Sequence, residues 1–131
     1  MGGEFVRGDL ADKARLDAVF DTYQPDAVMH FASHIQVGES VLQPSKYYFN
    51  NVSTTLNLLD AMVKHGVEHF IFSSTAAIFG EPEYLPIDPL HPKQPLNPYG
   101  RSKWMTELVL EDYERAYGLK SVCLRYFNAA G

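Results

Sequence analysis

The stretch His69-Phe70-Ile71-Phe72-Ser73-Ser74, running into Thr75-Ala76-Ala77-Ile78-Phe79-Gly80, reads as a strand that ends in small residues. On its N-terminal side, Glu39-Ser40 opens a long helical pattern that reaches about Lys64, with Tyr48, Val52, Leu56, Leu59 and Val63 on the apolar face. Pro44 lies near the start of this helix, where a missing amide hydrogen is tolerated, and Gly66 supplies a stop. Further upstream, Ala27 to Ala32 is a mostly apolar strand, as expected of a sheet covered on both faces. Asp12 can cap a helix carrying Leu16, Val19, Phe20 and Tyr23 at i, i+3, i+4 and i+7, which Pro25 closes. Glu4 to Gly8 reads as a short strand candidate ending at Gly8-Asp9.

On the C-terminal side, residues 81 to 98 hold six of the chain's eight prolines and read as a semi-rigid extended loop. Pro98 suits the first turn of a helix, along which Trp104, Leu108, Val109, Tyr113 and Tyr117 are expected to face inward until Gly118. Ser121 to Phe127 is the last strand, followed by Asn128. Strands alternating with helices imply an α/β fold, one Rossmann-like domain over residues 1–131 with a parallel sheet and helices on both faces. In such sheets ligands bind beyond the carboxyl ends of the strands, where Asp9, Ser33, Ser73 to Thr75 and Asn128 gather.

Composition narrows the function classes. Eleven basic against 16 acidic residues give a net charge of −5, so nothing suggests nucleic acid or an anionic membrane as partner. No apolar run approaches the ~20 residues of a membrane span, and no signal-peptide pattern is present. The single cysteine, Cys123, lies in an apolar run and reads as a buried thiol, which suits a reducing cytoplasm. His30, His34, His65, His69 and His91 lack ligand spacing, so no metal site is expected.

Within Asn97-Pro98-Tyr99-Gly100-Arg101-Ser102-Lys103-Trp104, Tyr99 and Lys103 fall on one helical face. A phenol with a reference pKa of ~10 is a poor base at neutral pH. A lysine cation ~5 Å away, at an effective dielectric of ~20, contributes roughly 3 kcal/mol, or about two pKa units. The pair therefore reads as a general base beside a cationic cofactor. On most helices the same spacing is a packed phenol beside a solvated amine.

Six segments settle the choice: His30 to Ser33, Val37 to Val41, Tyr47 to Val52, Phe72 to Gly80, Pro98 to Lys103 and Leu124 to Asn128. Together they resemble the extended short-chain dehydrogenase/reductase family, over nearly the whole chain and in the right order. The resemblance implies NAD as cofactor, a UDP-sugar as substrate, and epimerisation at C4 of a UDP-hexose (UDP-glucose/UDP-galactose) through a transient 4-keto sugar. Tyr99 would take the proton from the C4 hydroxyl as hydride leaves C4 for NAD+. Lys103 would bind the nicotinamide ribose, and Thr75 would hydrogen-bond the substrate oxygen. Asp9 and Leu10 would lie toward the adenine end, with Phe31, Ala32, Ser33, Asn50, Ser73, Ser74 and Tyr126 also along the cofactor. Phe127 and Asn128 would join Thr75 and Tyr99 against the substrate. Plainer roles compete at some positions: Phe31 and Phe127 as core aromatics, Asn50 as a loop tether, Asp9 as a turn former.

Two substitutions and two absences qualify this. Ile35 stands where some members place a lysine near the pyrophosphate. Ala76 and Ala77 stand where 4,6-dehydratases carry an acidic pair, and alanine moves no protons, so dehydration is disfavoured. No G-x-x-G-x-x-G turn occurs in these 131 residues, and the family's C-terminal substrate domain is expected to be missing from them. The chain is therefore expected to be an internal, incomplete piece that lacks the first two strands, with negligible NAD affinity and no turnover alone. Its strand at Ala27 to Ala32 would present an unpaired edge, to which Phe5 to Gly8 either slides across or stays detached. Full-length members are expected to be homodimers. The competing readings are a dehydratase or decarboxylase of the same family, and a non-catalytic Rossmann-like binding module.

Overall fold

The computed structural model describes residues 10–31, 37–80, 83 and 90–126. The strand expected at residues 4 to 8 and its two pairing options fall outside them.

The first helix, α1 (Lys13–Tyr23), begins as its sequence suggests: the Asp12 carboxylate accepts from Arg15 N at 3.0 Å. Leu16 and Phe20 point into the core, whereas Tyr23 is exposed, so the apolar face is narrower than the spacing implied. A parallel sheet follows, with strands β1 (Ala27–His30), β2 (His69–Thr75) and β3 (Lys120–Tyr126) side by side in that order. Strand β1 stops at His30 instead of Ala32, and β3 starts at Lys120. The register sets His30 beside Phe72, Phe72 beside Cys123, and Thr75 beside Tyr126. Among the described residues β1 pairs with β2 alone.

The single long helix expected between β1 and β2 is broken into pieces. Helix α2 (Val37–Leu42) ends before Pro44, whose missing amide hydrogen forces a restart as α3 (Pro44–Tyr48). A π-helical turn, Phe49–Ser53, then leads into α4 (Thr54–Lys64). Widening one turn rotates the buried stripe. Tyr47, Asn51, Thr55, Leu58, Leu59 and Met62 are buried, while Tyr48, Val52 and Leu56, expected inside, are half-exposed.

Helix α5 (Pro98–Tyr117) has Pro98 in its first turn and ends at Gly118, whose φ of +73° is the left-handed geometry glycine tolerates best. Its inward face also differs from the apolar reading. Tyr99, Ser102, Lys103, Thr106, Glu107 and Leu110 are buried, whereas Leu108 and Tyr117 are exposed and Trp104 is half-buried.

One core unites these elements. Phe70 and Phe72 from β2, with Val28 and Cys123 beside them, meet Phe20 of α1, Leu58, Leu59 and Met62 of α4 and Leu110 of α5. All these strand residues share one face of the sheet, so the described helices α1, α4 and α5 cover that face. On the opposite face Met29 (59%), Phe31 (51%) and Val122 (56%) are exposed. Cys123 is half-buried, and burial with Glu107 nearby pushes its thiol up to about 12, so it is an inert side chain.

Candidate active site

The tip of β2 and the first two turns of α5 bring the candidate residues Thr75, Tyr99 and Lys103 to one end of the sheet. Lys103 is only 2% exposed, and its ammonium donates to the Ser73 carbonyl at 2.8 Å. The same Nζ stands 4.8 Å from the centroid of the Phe72 ring. Burial pulls its pKa down to about 8, so at neutral pH it remains a cation, balanced by a carbonyl dipole and a π face.

Tyr99, also buried, starts the same helix one turn earlier. The Asn97 side chain fixes that start by accepting from Gly100 N at 2.9 Å. Thr75 is held from the other side, its hydroxyl accepting from Ala77 N at 3.1 Å. The two halves touch through Gly100 and Ala77. A β-carbon on Gly100 would sit 2.9 Å from the Ala77 carbonyl oxygen and 3.1 Å from Pro95 Cβ. The bare α-carbon thus lets the Tyr99 turn close onto the Thr75 turn. Sequence reasoning missed Gly100, because a glycine in the first turn of a helix carries no periodic signal.

Behind the pair lies a hydrogen-bonded network. The Asn51 side-chain amide donates to Ser102 Oγ at 3.1 Å, and Ser102 Oγ donates to the Tyr99 carbonyl at 2.9 Å. The Asn51 carbonyl receives Thr55 Oγ1 at 3.0 Å and Thr106 Oγ1 at 3.1 Å, the Thr106 proton being shared with the Ser102 carbonyl at 3.0 Å. Thr55 Oγ1 also lies 3.0 Å from His30 Nε2, within hydrogen-bond reach, which joins β1 to the network. Burial, with Lys103 nearby, lowers the His30 pKa to about 4, and the ring stays neutral. The π turn exposes the Asn51 carbonyl to both hydroxyls and so ties β1, α4 and α5 together. This hub too is absent from the sequence reading, since a π turn has no periodic signature.

The remaining candidates divide. Ser73 offers its carbonyl to Lys103, inside the site. Ser74 turns its hydroxyl to Glu107, 2.6 Å away, on the helix-covered face. The Asn50 side-chain amide folds back onto the Lys46 carbonyl at 2.8 Å. Leu10 anchors the start of α1 by its carbonyl, which accepts from Asn57 Nδ2 at 3.0 Å. Phe31 is exposed past the tip of β1, and Tyr126 pairs with Thr75 at the end of β3. Asp9, Ala32, Ser33, Ile35, Phe127 and Asn128 lie outside the described residues. Among the described residues no group of three His, Cys, Asp or Glu could hold a metal ion, and no helix is long and apolar enough to cross a membrane.

Parallel strands joined by helices, with a Tyr-x-x-x-Lys helix against the tip of the middle strand, define a Rossmann-like domain of the short-chain dehydrogenase/reductase type. The chain belongs to the NAD dependent epimerase/dehydratase family, whose model matches residues 2–131. It is 50% identical over 129 residues to the UDP-glucose 4-epimerase of Rhizobium meliloti (strain 1021), covering 98% of this chain and 39% of that protein. A crystal structure of UDP-glucose 4-epimerase from Brucella ovis in complex with NAD is 51% identical, with a TM-score of 0.94 over 96% of this chain and 39% of its own. The UDP-Glc/GlcNAc 4-epimerase of Campylobacter jejuni is 46% identical, with a TM-score of 0.91 over 95% of this chain and 38% of its own. The chain therefore spans about two fifths of the length of these relatives.

Proposed function

We propose that this chain supplies the proton-transfer centre, and part of the cofactor-facing surface, of an NAD-dependent enzyme that inverts C4 of a UDP-hexose. The observation that carries the reading is the buried Lys103 cation at the tip of β2, one helical turn beyond Tyr99. Burying a cation is costly, and a fold without use for it would place methionine or leucine there.

The residues present suit NAD. The strand tips offer an exposed aromatic at Phe31, and the Lys103 ammonium suits ribose hydroxyls. Ser73, whose carbonyl holds Lys103, stands beside them. When bound, NAD would accept a hydride from C4 and return it to the opposite face. Tyr99 takes the C4 hydroxyl proton and later restores it. Lys103 favours the phenolate by its charge, and Thr75 holds the reacting oxygen. Ala76 and Ala77 follow with no carboxylate, so elimination of water across C5 and C6 has no acid or base at those positions. The full-length protein on this reading is a cytoplasmic homodimer.

The test is replacement. Residues 1–131 are substituted for the matching segment of the Rhizobium meliloti enzyme, and UDP-glucose is incubated with NAD+. Formation of UDP-galactose is expected. A folded, NAD-binding hybrid that yields no epimer, or yields a dehydrated 4-keto sugar, would overturn the reading.

A further inference from the structure

Helix α5 grips two consecutive residues at the tip of β2. Lys103 takes the Ser73 carbonyl, and one turn later Glu107 takes the Ser74 hydroxyl. Glu107 is buried, and its other oxygen receives Arg125 Nη2 at 2.6 Å, with Nε at 3.2 Å. Arg125 is the register partner of Ser74 on β3 and lies over the Phe79 ring, 5.5 Å from its centroid. A single carboxylate thus joins α5 to both strands, one residue before the Thr75–Tyr126 pair that opens onto the site.

We propose that Glu107 is a positioning residue, which through Ser74 and Arg125 fixes the tips of β2 and β3 and so sets where Thr75 stands relative to Tyr99 and Lys103. The proposal rests on the proton-transfer reading above for its effect on rate, though not for its effect on geometry. A displacement of about 1 Å at Thr75 is enough to slow the chemical step about 100-fold without weakening substrate binding. Stability alone does not require the pair, because apolar residues of similar volume often replace a buried ion pair without loss.

The decisive variant is the double substitution Glu107→Leu with Arg125→Leu. In the hybrid enzyme its kcat is expected to fall about 100-fold, with KM for UDP-glucose within about threefold of the parent. In the 131-residue chain itself, hydrogen exchange at the Ala77 amide, which Thr75 holds, should accelerate at least tenfold (a change of about 1.4 kcal/mol in local opening). A folded double variant with parental kcat and parental Ala77 exchange would overturn the proposal. If the parental hybrid shows no turnover, the functional reading fails, and Ala77 exchange alone decides the positioning role. If the double variant does not fold, Ser74→Ala replaces it. Faster Ala77 exchange then supports the brace, and unchanged exchange refutes it.

Discussion

The two halves of α5 obey different rules. From Tyr99 to Glu107 the buried face is mostly polar or ionisable, and beyond Glu107 it is Leu110, with Val109 and Tyr113 packed beside it and Tyr117 exposed. An apolar contact can be made by many side chains in many rotamers. A buried polar group needs one partner at one distance. Among the described residues every fully buried side-chain nitrogen and oxygen has such a partner, and the polar half of α5 holds several of them. That half is therefore specified in geometry, and the other mainly in volume.

Substitutions should separate the halves, most sharply at the ion pair. Arg125→Ala leaves Glu107 buried and unpaired and is expected to cost about 3–5 kcal/mol in urea unfolding at pH 7, at the lower end because Arg125 is partly exposed. The double apolar replacement of the pair should lose far less.

Acid comes next. The folded pKa of His30, about 4, lies below its ordinary 6.5, so the unfolded chain takes up the proton first. Its contribution is complete above pH 6.5 and disappears as pH falls toward 4, an expected loss of about 3 kcal/mol. Unfolding measured across that range should show this limb, and His30→Asn should flatten it.

Lys103→Met should act in the opposite direction and less strongly. The folded pKa of about 8 against 10.5 means that the fold disfavours this cation at neutral pH, and the parent gains stability as pH rises from 8 to 10.5. Methionine removes that burden while leaving the Ser73 carbonyl without its donor, for an expected net gain of about 1–2 kcal/mol at pH 7 and a flat alkaline limb. A loss of stability would show that Lys103 serves the fold as well as the site. Smallest of all, Tyr117→Ser in the exposed half should shift stability by less than about 0.5 kcal/mol.

Much of this was legible beforehand. Alternating strand and helix patterns foretold the parallel order, and Asp12, Pro98, Gly66 and Gly118 each act where their backbone chemistry suggested. Tyr99 and Lys103 were assigned to one helical face and are buried together on it. Periodicity failed where buried residues are polar. Of the apolar face expected for α5, Trp104, Val109 and Tyr113 do pack against buried residues, but Leu108 and Tyr117 are exposed. Ser102, Lys103, Thr106 and Glu107 take inward positions that an apolar reading assigns to no polar group. The break at Pro44 and the π turn went unseen for a related reason: a helix face is extrapolated with 3.6 residues per turn, and one wide turn rotates everything after it. Ser74 and Glu107 are partners 33 residues apart, a pairing that only the fold reveals.

The central claim is that Tyr99 moves the proton. In the hybrid enzyme carrying residues 1–131, Tyr99→Phe keeps the ring and removes only the hydroxyl. Turnover of UDP-glucose is expected to fall about 10³-fold, with NAD+ binding within about threefold of the parent. Turnover retained within tenfold would contradict the account.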